Sequence, residues 1–454
     1  MKLKSINPFT GELNAEFDPM SDQACREAVL KARGALAKWK KLPVSDRIKP
    51  LAKLASILRR KKEEFGRLAA LEMGKPVRQA ESELEKCALL CDYYHQSAEQ
   101  VLRPETMETE ASQSYVVFDP LGVILGVMPW NYPFWQVARW AAPALAAGNV
   151  CLLKHASNVP LTALEMEKIF LEAGFPEHVF QTLLIGPRSA ELLIEQDLVD
   201  GVSLTGSVAA GSAIGSLAGS KLKKSVLELG GSDPFMVFAD ADLEKAARVA
   251  VKSRMGNAGQ SCIAAKRIIV ARSVFETFRE KFVEALNGLK VGDPLDCSTD
   301  LGPVARKEFL QILERQLGDA IKKGASVFWG PEPPERGCFF RPAVLTDVTA
   351  DMLVMTEEVF GPIAVLASAA DEGEMIRMAN ATQLGLGAAI WTRDIEKARK
   401  LAREIDAGFV AINCMVKSDP RLPFGGVKKS GFGRELSHYG LKEFVNIKTV
   451  VIGQ

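Results

Sequence analysis

The sequence predicts an α/β protein with two doubly wound parallel sheets, on three observations. Residues 21 to 103 carry apolar side chains at helical spacing, which predicts an all-helical opening. After residue 120, short apolar runs alternate with segments of helical length, a pattern typical of a parallel sheet covered by helices. The alternation begins again after Gly230 and Gly231, which predicts a second domain of the same class.

The predicted strands follow one another along each domain. The first domain contains the apolar runs LGVILGVM, VCLLK, VFQTLLI, GVSLT and SVLEL, and its helices begin at Trp135, at Pro160, near Ala190 and at Ser207. The second domain contains PFMVFA, RIIVA, IAVLA, AAIWT and FVAIN, and its first helices begin at Asp242 and Val274. Pro- and Glu-rich GPEPPERG, residues 330 to 337, predicts a surface loop.

Composition excludes several classes of protein. The chain has 454 residues, 47% of them hydrophobic, and its 57 basic and 56 acidic side chains leave a net charge of +1. No basic block stands out, so we expect no nucleic-acid partner. The eight cysteines are too dilute for a disulfide framework and suit a reducing cytoplasm. The four histidines lie far apart, with no HExxH or CxxC motif, so we expect no metal site.

Neither export nor membrane insertion is expected. The start of the chain, MKLKSINPFTGELN, lacks the apolar stretch of a secretory signal. Residues 120 to 153 contain one formal charge, Arg139, but three prolines divide this segment into pieces too short to span a bilayer. The segment therefore predicts buried core around a functional turn.

Ligands of doubly wound sheets bind beyond the carboxyl ends of the strands, so residues just after each strand are the first candidates. Asn131 follows the first strand, in MPWNYPFWQVAR, where its amide could donate to a developing oxyanion or simply cap the next helix. Arg139 lies one helical turn beyond Trp135 in an uncharged region. A buried guanidinium needs an anion, which is either a protein carboxylate or a substrate carboxylate.

Two further segments suit a nucleotide. Lys154 and Ser157, in KHAS, follow the second strand, where a carboxylate would repel the 2′-phosphate of NADP. A lysine charge and a small hydroxyl group can instead accept that phosphate, which favours NADP over NAD. The alternative is an exposed lysine beside a capping serine. The segment LTGSVAAGSAIG enters a helix, and its glycines would let a phosphate approach the helix N-terminus. These glycines are Gly206, Gly211 and Gly215. The chain has no GxGxxG and no Walker A sequence.

A cysteine and a glutamate complete the candidates. Cys262 follows Gly256 and Gly259, which predicts a thiol on a flexible, backbone-exposed turn, although free cysteines are more often small core residues. Glu228 ends an apolar strand, and partial burial would raise its pKa and make it a usable general base. A thiol nucleophile with a carboxylate base indicates acyl chemistry.

Seven stretches, taken in order, resemble the NAD(P)-dependent aldehyde dehydrogenase superfamily over nearly the whole chain. They are MPWNYPFW, LLKHAS, LTGSVAAG, LELGGSDP, GNAGQSC, EEVFGPI and PFGGVKKSGFGREL. Within that family the chain is most similar to succinate-semialdehyde dehydrogenases, through WQVAR with Arg139 and through the loop CMVKSDPR. Many family members have an acidic residue where Ser157 stands, so this chain should tolerate the 2′-phosphate better.

The resemblance implies a fold, a reaction and a set of roles. Cys262 would attack the aldehyde as a thiolate, Asn131 and the Cys262 N–H would stabilise the oxyanion, and Glu228 would activate the water that hydrolyses the thioester. Cofactor contacts would come from Trp130, Lys154, Ser157, Gly206, Ser207, Leu229 and Glu358. Substrate contacts would come from Trp135, Arg139 and Ser418, although the loop around Ser418 could equally be a solvated basic turn.

The implied activity is oxidation of succinic semialdehyde to succinate with NADP or NAD. The alternatives are oxidation of another small aliphatic aldehyde, or a non-redox cysteine enzyme that transfers or hydrolyses acyl groups. The implied cofactor is NADP, with NAD possible, and the implied partner is a small aldehyde carrying a carboxylate.

Family architecture also implies domain boundaries. The dinucleotide-binding domain would comprise 1–104 and 121–229, the catalytic domain 230–427, and an oligomerisation arm 105–120 and 428–454. Both arm segments alternate polar and apolar residues, as half-buried strands do. The terminal strand EFVNIKTVVI is expected to pair with a neighbouring subunit in a homodimer or homotetramer, because a bare strand edge is a liability in a monomer.

Overall fold

The computed structural model describes residues 2–453. An N-terminal hairpin precedes five helices, and a second hairpin follows them. These elements are β1 (Leu3–Ile6), β2 (Leu13–Phe17), α1 (Asp22–Trp39), α2 (Val44–Arg47), α3 (Lys49–Arg60), α4 (Lys62–Met73), α5 (Val77–Val101), β3 (Glu105–Met107) and β4 (Gln113–Pro120). Ser21 starts α1 by accepting a hydrogen bond from the Ala24 N–H, and Gly74 ends α4 with a left-handed φ of 76°.

The first parallel sheet alternates with helices as the sequence predicts. Its elements are β5 (Val123–Met128), α6 (Trp135–Ala146), β6 (Val150–His155), α7 (Pro160–Glu172), β7 (Phe180–Thr182), α8 (Pro187–Glu195), β8 (Gly201–Thr205), α9 (Val208–Ser220) and β9 (Lys224–Glu228). Helix α6 packs tightly on β5, because a Cβ atom at Gly126 would lie 2.0 Å from the Trp140 ring. This contact holds α6, which carries Trp135 and Arg139, beside the sheet.

The second domain repeats this architecture around a seven-stranded sheet. Its elements are β10 (Asp233–Val237), α10 (Leu243–Met255), β11 (Ala265–Ala271), α11 (Phe275–Asn287), α12 (Lys307–Lys322), β12 (Ser326–Trp329), β13 (Ala343–Thr346), α13 (Leu353–Thr356), β14 (Ile363–Ala369), α14 (Glu372–Asn380), β15 (Leu384–Gly385), β16 (Gly387–Trp391), α15 (Ile395–Leu401) and β17 (Phe409–Ile412). The strand order is β12-β13-β14-β11-β10-β16-β17, and only β12 runs antiparallel to its neighbour.

The C-terminal segment returns to the first domain before it reaches the arm. It contains β18 (Val427–Lys428), β19 (Gly431–Phe432), α16 (Ser437–Leu441) and β20 (Val445–Ile452). Strand β19 pairs with β9, so the first sheet has the order β19-β9-β8-β5-β6-β7. Residues 431–432 therefore belong to the first sheet, whereas the sequence assigned all of 428–454 to the arm.

The arm is a three-stranded sheet in the order β20-β4-β3. Strand β20 pairs antiparallel with β4 of the same chain over eight residue pairs, from Val445 with Pro120 to Ile452 with Gln113. No strand within residues 2–453 pairs with the other edge of β20, so its pairing with a neighbouring subunit stays a prediction.

The predicted α/β class with parallel sheets is confirmed, and all ten apolar runs contain strands. The N-terminal hairpin and the edge strand β12 were not predicted. No helix within residues 2–453 is both long and apolar enough to cross a membrane.

Candidate active site

A cavity of about 270 Å³ opens at the carboxyl end of the first sheet, where the two domains meet. Seven predicted site residues line it, namely Trp130, Asn131, Gly206, Ser207, Leu229, Cys262 and Glu358. They come from the ends of β5, β8 and β9 and from two segments of the second domain. The remaining predicted residues, which are Trp135, Arg139, Lys154, Ser157, Glu228 and Ser418, are not among its lining residues.

Cys262 lies in a turn that hydrogen bonds hold in place. The preceding 3-10 turn, Gly256–Gly259, contains Asn257 and Ala258 in left-handed conformations, both with a φ of 54°. The Gln260 carbonyl accepts hydrogen bonds from two side-chain amides, those of Asn131 at 3.1 Å and Asn257 at 3.2 Å. These hydrogen bonds tie the backbone two residues before the half-buried Cys262 to the Asn131 loop.

The surroundings of this thiol oppose its ionisation. Burial raises the Cys262 pKa to about 11, and the nearby carboxylates of Glu358 and Glu228 contribute to the rise. The positive charges of Arg139 and Lys266 oppose it only in part. At neutral pH the thiol is protonated in this structure, so attack on a carbonyl requires a base to remove the proton.

Asn131 faces the same cavity with an amide that is only partly used. Its Nδ2 donates to the Gln260 carbonyl, and the backbone carbonyl of Asn131 accepts a hydrogen bond of 2.7 Å from the Asn257 side chain. A side-chain amide nitrogen carries two N–H groups, so one donor remains for a ligand. The buried Oδ1 atom has no hydrogen-bond partner among the described residues.

Glu228, at the end of β9, is almost entirely enclosed and 2% exposed. Neither of its carboxylate oxygens has a hydrogen-bond partner among residues 2–453. Burial raises the Glu228 pKa well above its usual value, the nearby Glu435 adds to the rise, and Arg139 opposes it. Ionised Glu228 is therefore a stronger base than an exposed glutamate.

Arg139 has a protein partner, which is one of the two alternatives that its burial left open. Its Nε forms an ion pair with Glu435, and its Nη2 donates to the Thr205 hydroxyl at 3.2 Å. The guanidinium carbon also lies 4.9 Å from the centre of the Phe424 ring. Burial of the charge therefore does not by itself require a substrate carboxylate, and the substrate contact that the family resemblance implies for Arg139 stays a prediction.

Ser418, which the sequence suggested could help Arg139 to hold a substrate carboxylate, forms no hydrogen bond with Arg139 within residues 2–453. The Ser418 hydroxyl is buried and accepts a hydrogen bond of 2.5 Å from the Lys86 ammonium of α5. The same ammonium lies 4.1 Å from the centre of the Trp135 ring. Sequence reasoning missed Lys86, although a lone lysine beside the apolar run CALLC of a core helix was a possible signal.

The residues predicted to bind the nucleotide keep polar groups or space that a ligand could use. Lys154, the penultimate residue of β6, has no carboxylate within ion-pair distance among the described residues, and burial lowers its pKa. Ser157 is half-buried two residues after the strand ends. Ser207 caps α9 by accepting a hydrogen bond of 3.2 Å from the Ala210 N–H. A Cβ atom at Gly206 would approach no heavy atom closer than 3.6 Å, so space remains at this helix N-terminus.

Gly211 and Gly215, which the sequence grouped with Gly206, act in packing. A Cβ atom at Gly211 would lie 2.3 Å from the Leu229 side chain, and one at Gly215 would lie 2.9 Å from Leu227. Both glycines let α9 approach β9, and neither is needed to open a phosphate site. Their role is therefore a correction to the sequence analysis.

Trp130 and Glu358 form the opposite wall of the cavity. The Trp130 ring stacks on Phe309, with ring centres 4.9 Å apart. Glu358 accepts a hydrogen bond of 3.1 Å from the Gly231 N–H and forms an ion pair of 3.1 Å with Lys266. The carboxylate is thus held at the mouth of the cavity by two partners.

Fold and site together define a class: a two-domain α/β protein whose cavity presents a cysteine, an amide donor and the N-terminus of a helix. The aldehyde dehydrogenase family profile matches residues 1–450. The chain therefore belongs to the aldehyde dehydrogenase family.

Relatives cover the whole chain. The probable succinate-semialdehyde dehydrogenase (NADP+) of Synechocystis is 48% identical and aligns over 100% of both chains. The succinate-semialdehyde dehydrogenase (NADP+) of Mycobacterium avium is 45% identical over 100% of this chain and 97% of its own. The crystal structure of succinic semialdehyde dehydrogenase from Streptococcus pyogenes in complex with NADP+ superposes with a TM-score of 0.97 at 36% identity, covering 100% of both chains.

Proposed function

We propose that this protein oxidises succinic semialdehyde to succinate with NADP+, and less efficiently with NAD+. The observation that carries the proposal is the exposure of Cys262 and Asn131 to one cavity beside the free N-terminus of α9. The names of the Synechocystis and Mycobacterium avium relatives support the choice of substrate and cofactor.

The residues present fit a dinucleotide with a 2′-phosphate. Ser207 and the N–H groups at the start of α9 would receive the pyrophosphate, and the open space at Gly206 allows this approach. Lys154 and Ser157 would hold the adenine ribose and its phosphate, because Lys154 has no competing carboxylate within the described chain. Trp130, Leu229 and Glu358 would line the nicotinamide end. When bound, the nicotinamide accepts the hydride that leaves the aldehyde carbon.

The chain's own residues would carry the covalent steps. The Cys262 Sγ atom adds to the aldehyde carbon while its proton passes to ionised Glu228, whose charge already acts on the thiol. The free N–H of the Asn131 amide and the Cys262 backbone N–H stabilise the oxyanion of the thiohemiacetal. Once the thiohemiacetal has been oxidised to a thioester, Glu228 releases the thiol proton to solvent and is ionised again. It then takes a proton from water, hydroxide adds to the thioester carbon, and the cysteine leaves as a thiolate.

The test is a comparison of aldehydes with purified protein. We expect reduced nicotinamide and succinate to form from succinic semialdehyde and NADP+, with a much higher kcat/KM than for butanal, which has the same chain length and no carboxylate. An equal kcat/KM for the two would favour a general aliphatic aldehyde dehydrogenase. Acid formation without nicotinamide reduction would instead indicate a non-redox cysteine enzyme.

Cofactor preference is tested at Ser157. The Ser157→Glu variant places a carboxylate where we propose the 2′-phosphate binds, and like charges in contact repel strongly. We expect the KM for NADP+ to rise by about 100-fold or more, while the KM for NAD+ stays the same or falls. Ser157→Gln is the matched control, with similar size and no charge. An equal rise for both cofactors, in both variants, would contradict the assignment of this site.

The arm is proposed to join subunits into a homodimer or homotetramer. Strand β20 exposes large apolar side chains, namely Ile447, Val451 and Ile452, which are 62%, 60% and 47% exposed. Apolar exposure on an edge strand favours association. Light scattering of the purified protein measures its mass in solution, and a monomer at micromolar concentration would refute this part of the proposal.

A further inference from the structure

We propose that Lys266 is a positioning residue for the oxyanion site and acts through the peptide bond between Ser261 and Cys262. Its ammonium holds the carbonyl of that peptide, and the N–H of the same peptide donates to the oxyanion. The inference rests on the function proposed above, because it assumes that Cys262 attacks an aldehyde carbon. It does not depend on which aldehyde is the substrate.

Lys266 lies in β11, four residues after the nucleophile, and its side chain is 1% exposed. Its Nζ atom donates to the Ser261 carbonyl at 2.8 Å and to the Cys262 carbonyl at 2.7 Å. Its third partner is the Glu358 carboxylate, 3.1 Å away. An ammonium has three N–H groups, so Lys266 uses all of its donors inside the protein. It therefore acts on the backbone of the nucleophile and not on a ligand.

The contact with the Ser261 carbonyl orients the peptide that carries the Cys262 N–H. No peptide bond within residues 2–453 is cis, and in a trans peptide the C=O and N–H groups point in opposite directions. The carbonyl points to Lys266, which is not a lining residue of the cavity, so the N–H points away from Lys266. No group within residues 2–453 accepts a hydrogen bond from this N–H. It is therefore free to donate to an oxyanion.

The Cys262 carbonyl, on the other side of the same Cα atom, is enclosed as well. A Cβ atom at Gly231 would lie 2.3 Å from this oxygen, so the chain that follows β9 packs directly against it. Lys266 thus holds both peptide carbonyls that flank the Cys262 Cα atom. These contacts set the direction of the N–H relative to the thiol.

A charged donor on the carbonyl also makes the N–H a stronger donor. Charge-assisted hydrogen bonds are roughly twice as strong as neutral ones, and a hydrogen bond at one end of a peptide polarises the group at its other end. The charge of Lys266 also opposes the rise in the pKa of the Cys262 thiol. Loss of Lys266 therefore has two effects, a smaller fraction of thiolate and a weaker donor to the oxyanion.

The test separates these two effects in the Lys266→Met variant. Reduction of saturating NADP+ by succinic semialdehyde, with protein in excess over aldehyde, measures the steps that pass through the oxyanion. Alkylation of Cys262 by iodoacetamide, followed by mass spectrometry, consumes the thiolate without forming an oxyanion. We expect the single-turnover rate constant to fall by roughly 10- to 100-fold more than the alkylation rate, less than the loss of a whole oxyanion donor. The protein concentration that gives half the maximal rate should change little, because Lys266 does not hold the aldehyde.

Lys223→Met is the matched control. The Lys223 side chain is 8% exposed and likewise donates to a backbone carbonyl, that of Val199. Val199 precedes β8 and lies at the amino end of that strand, whereas the cavity opens at the carboxyl end. Both rates should stay at the wild-type value. Calorimetry of NADP+ binding shows whether Lys266→Met is folded; if it is not, Lys266→Gln, which keeps a neutral donor, takes its place in the same comparison.

The outcomes separate this inference from the proposed function. Equal falls in the two rates would overturn the inference, since Lys266 would then act only on ionisation of the thiol, and unchanged rates would overturn it too. The proposed function would stand in both cases. A wild type that oxidises butanal as well as succinic semialdehyde would refute the proposed substrate alone, and the comparison would be made with butanal. A wild type that reduces no NADP+ with either aldehyde would refute both.

Discussion

Replacement of Cys262 by alanine is expected to lower kcat by roughly 10⁴-fold or more, a loss of the size seen when enzymes lose their covalent nucleophile. No other cysteine lines the cavity described here, because five of the remaining seven are buried elsewhere and two are exposed. The measurement is the rate of nicotinamide reduction with succinic semialdehyde at saturating NADP+. The binding of NADP+, followed by calorimetry, should persist because the thiol does not hold the cofactor.

Cys297→Ala is the matched control, since this cysteine is exposed and lies outside the cavity. It should retain its activity. Substantial turnover by Cys262→Ala would show that the reaction does not pass through a thioester at this residue, and the covalent mechanism proposed above would then be wrong.

The Glu228→Gln variant is expected to lower steady-state kcat by about 10²- to 10⁴-fold, the usual contribution of a general base. The amide is nearly isosteric with the carboxyl group, and the Glu228 oxygens have no hydrogen-bond partner in the described residues, so folding should be little affected. If Glu228 acts mainly in hydrolysis, rapid mixing will show a burst of one reduced nicotinamide per active site, followed by slow turnover. Mass spectrometry should then detect the acylated cysteine.

Slow turnover without a burst would mean that acylation itself is slow. Glu228 would then act in deprotonation of the thiol. Unchanged turnover would exclude Glu228 as a base in either step. Glu72→Gln is the control for a buried glutamate. Glu72 accepts hydrogen bonds at the start of α7, away from the cavity, so its replacement should not produce a burst.

Several site residues could be predicted because they follow strands of a parallel sheet. Asn131 and Gly206 come directly after β5 and β8, and topology alone places the carboxyl ends of such strands on one edge. Cys262 required more than strand position, since its turn lies between α10 and β11 of the other domain. For that residue the family motif GNAGQSC carried the prediction.

The partners of Arg139 and Lys86 could not be read from the sequence. Arg139 and Glu435 lie in segments far apart along the chain, and so do Lys86 and Ser418. The sequence is equally compatible with an arginine that binds the ligand and a lysine that faces the solvent. Only the packing of α16 against α5 and α6 brings Glu435 close enough to pair with the guanidinium.

The protonation state of the Cys262 thiol could not be predicted from the sequence either. A motif identifies a nucleophilic cysteine, but the pKa of its thiol depends on how much water the folded chain excludes and on which charges face it. Burial raises the Cys262 pKa to about 11, which the motif could not indicate.

The amino-acid sequence alone determined the α/β class, the positions of the main parallel strands along the chain and the residue types at the strand ends. These could be predicted because periodicity and turn chemistry are local properties. Tertiary structure decided which charges neutralise one another, as Arg139 and Glu435 do. Those outcomes depend on distances of a few ångströms between segments that are distant in the chain, where Coulomb energy and desolvation change steeply.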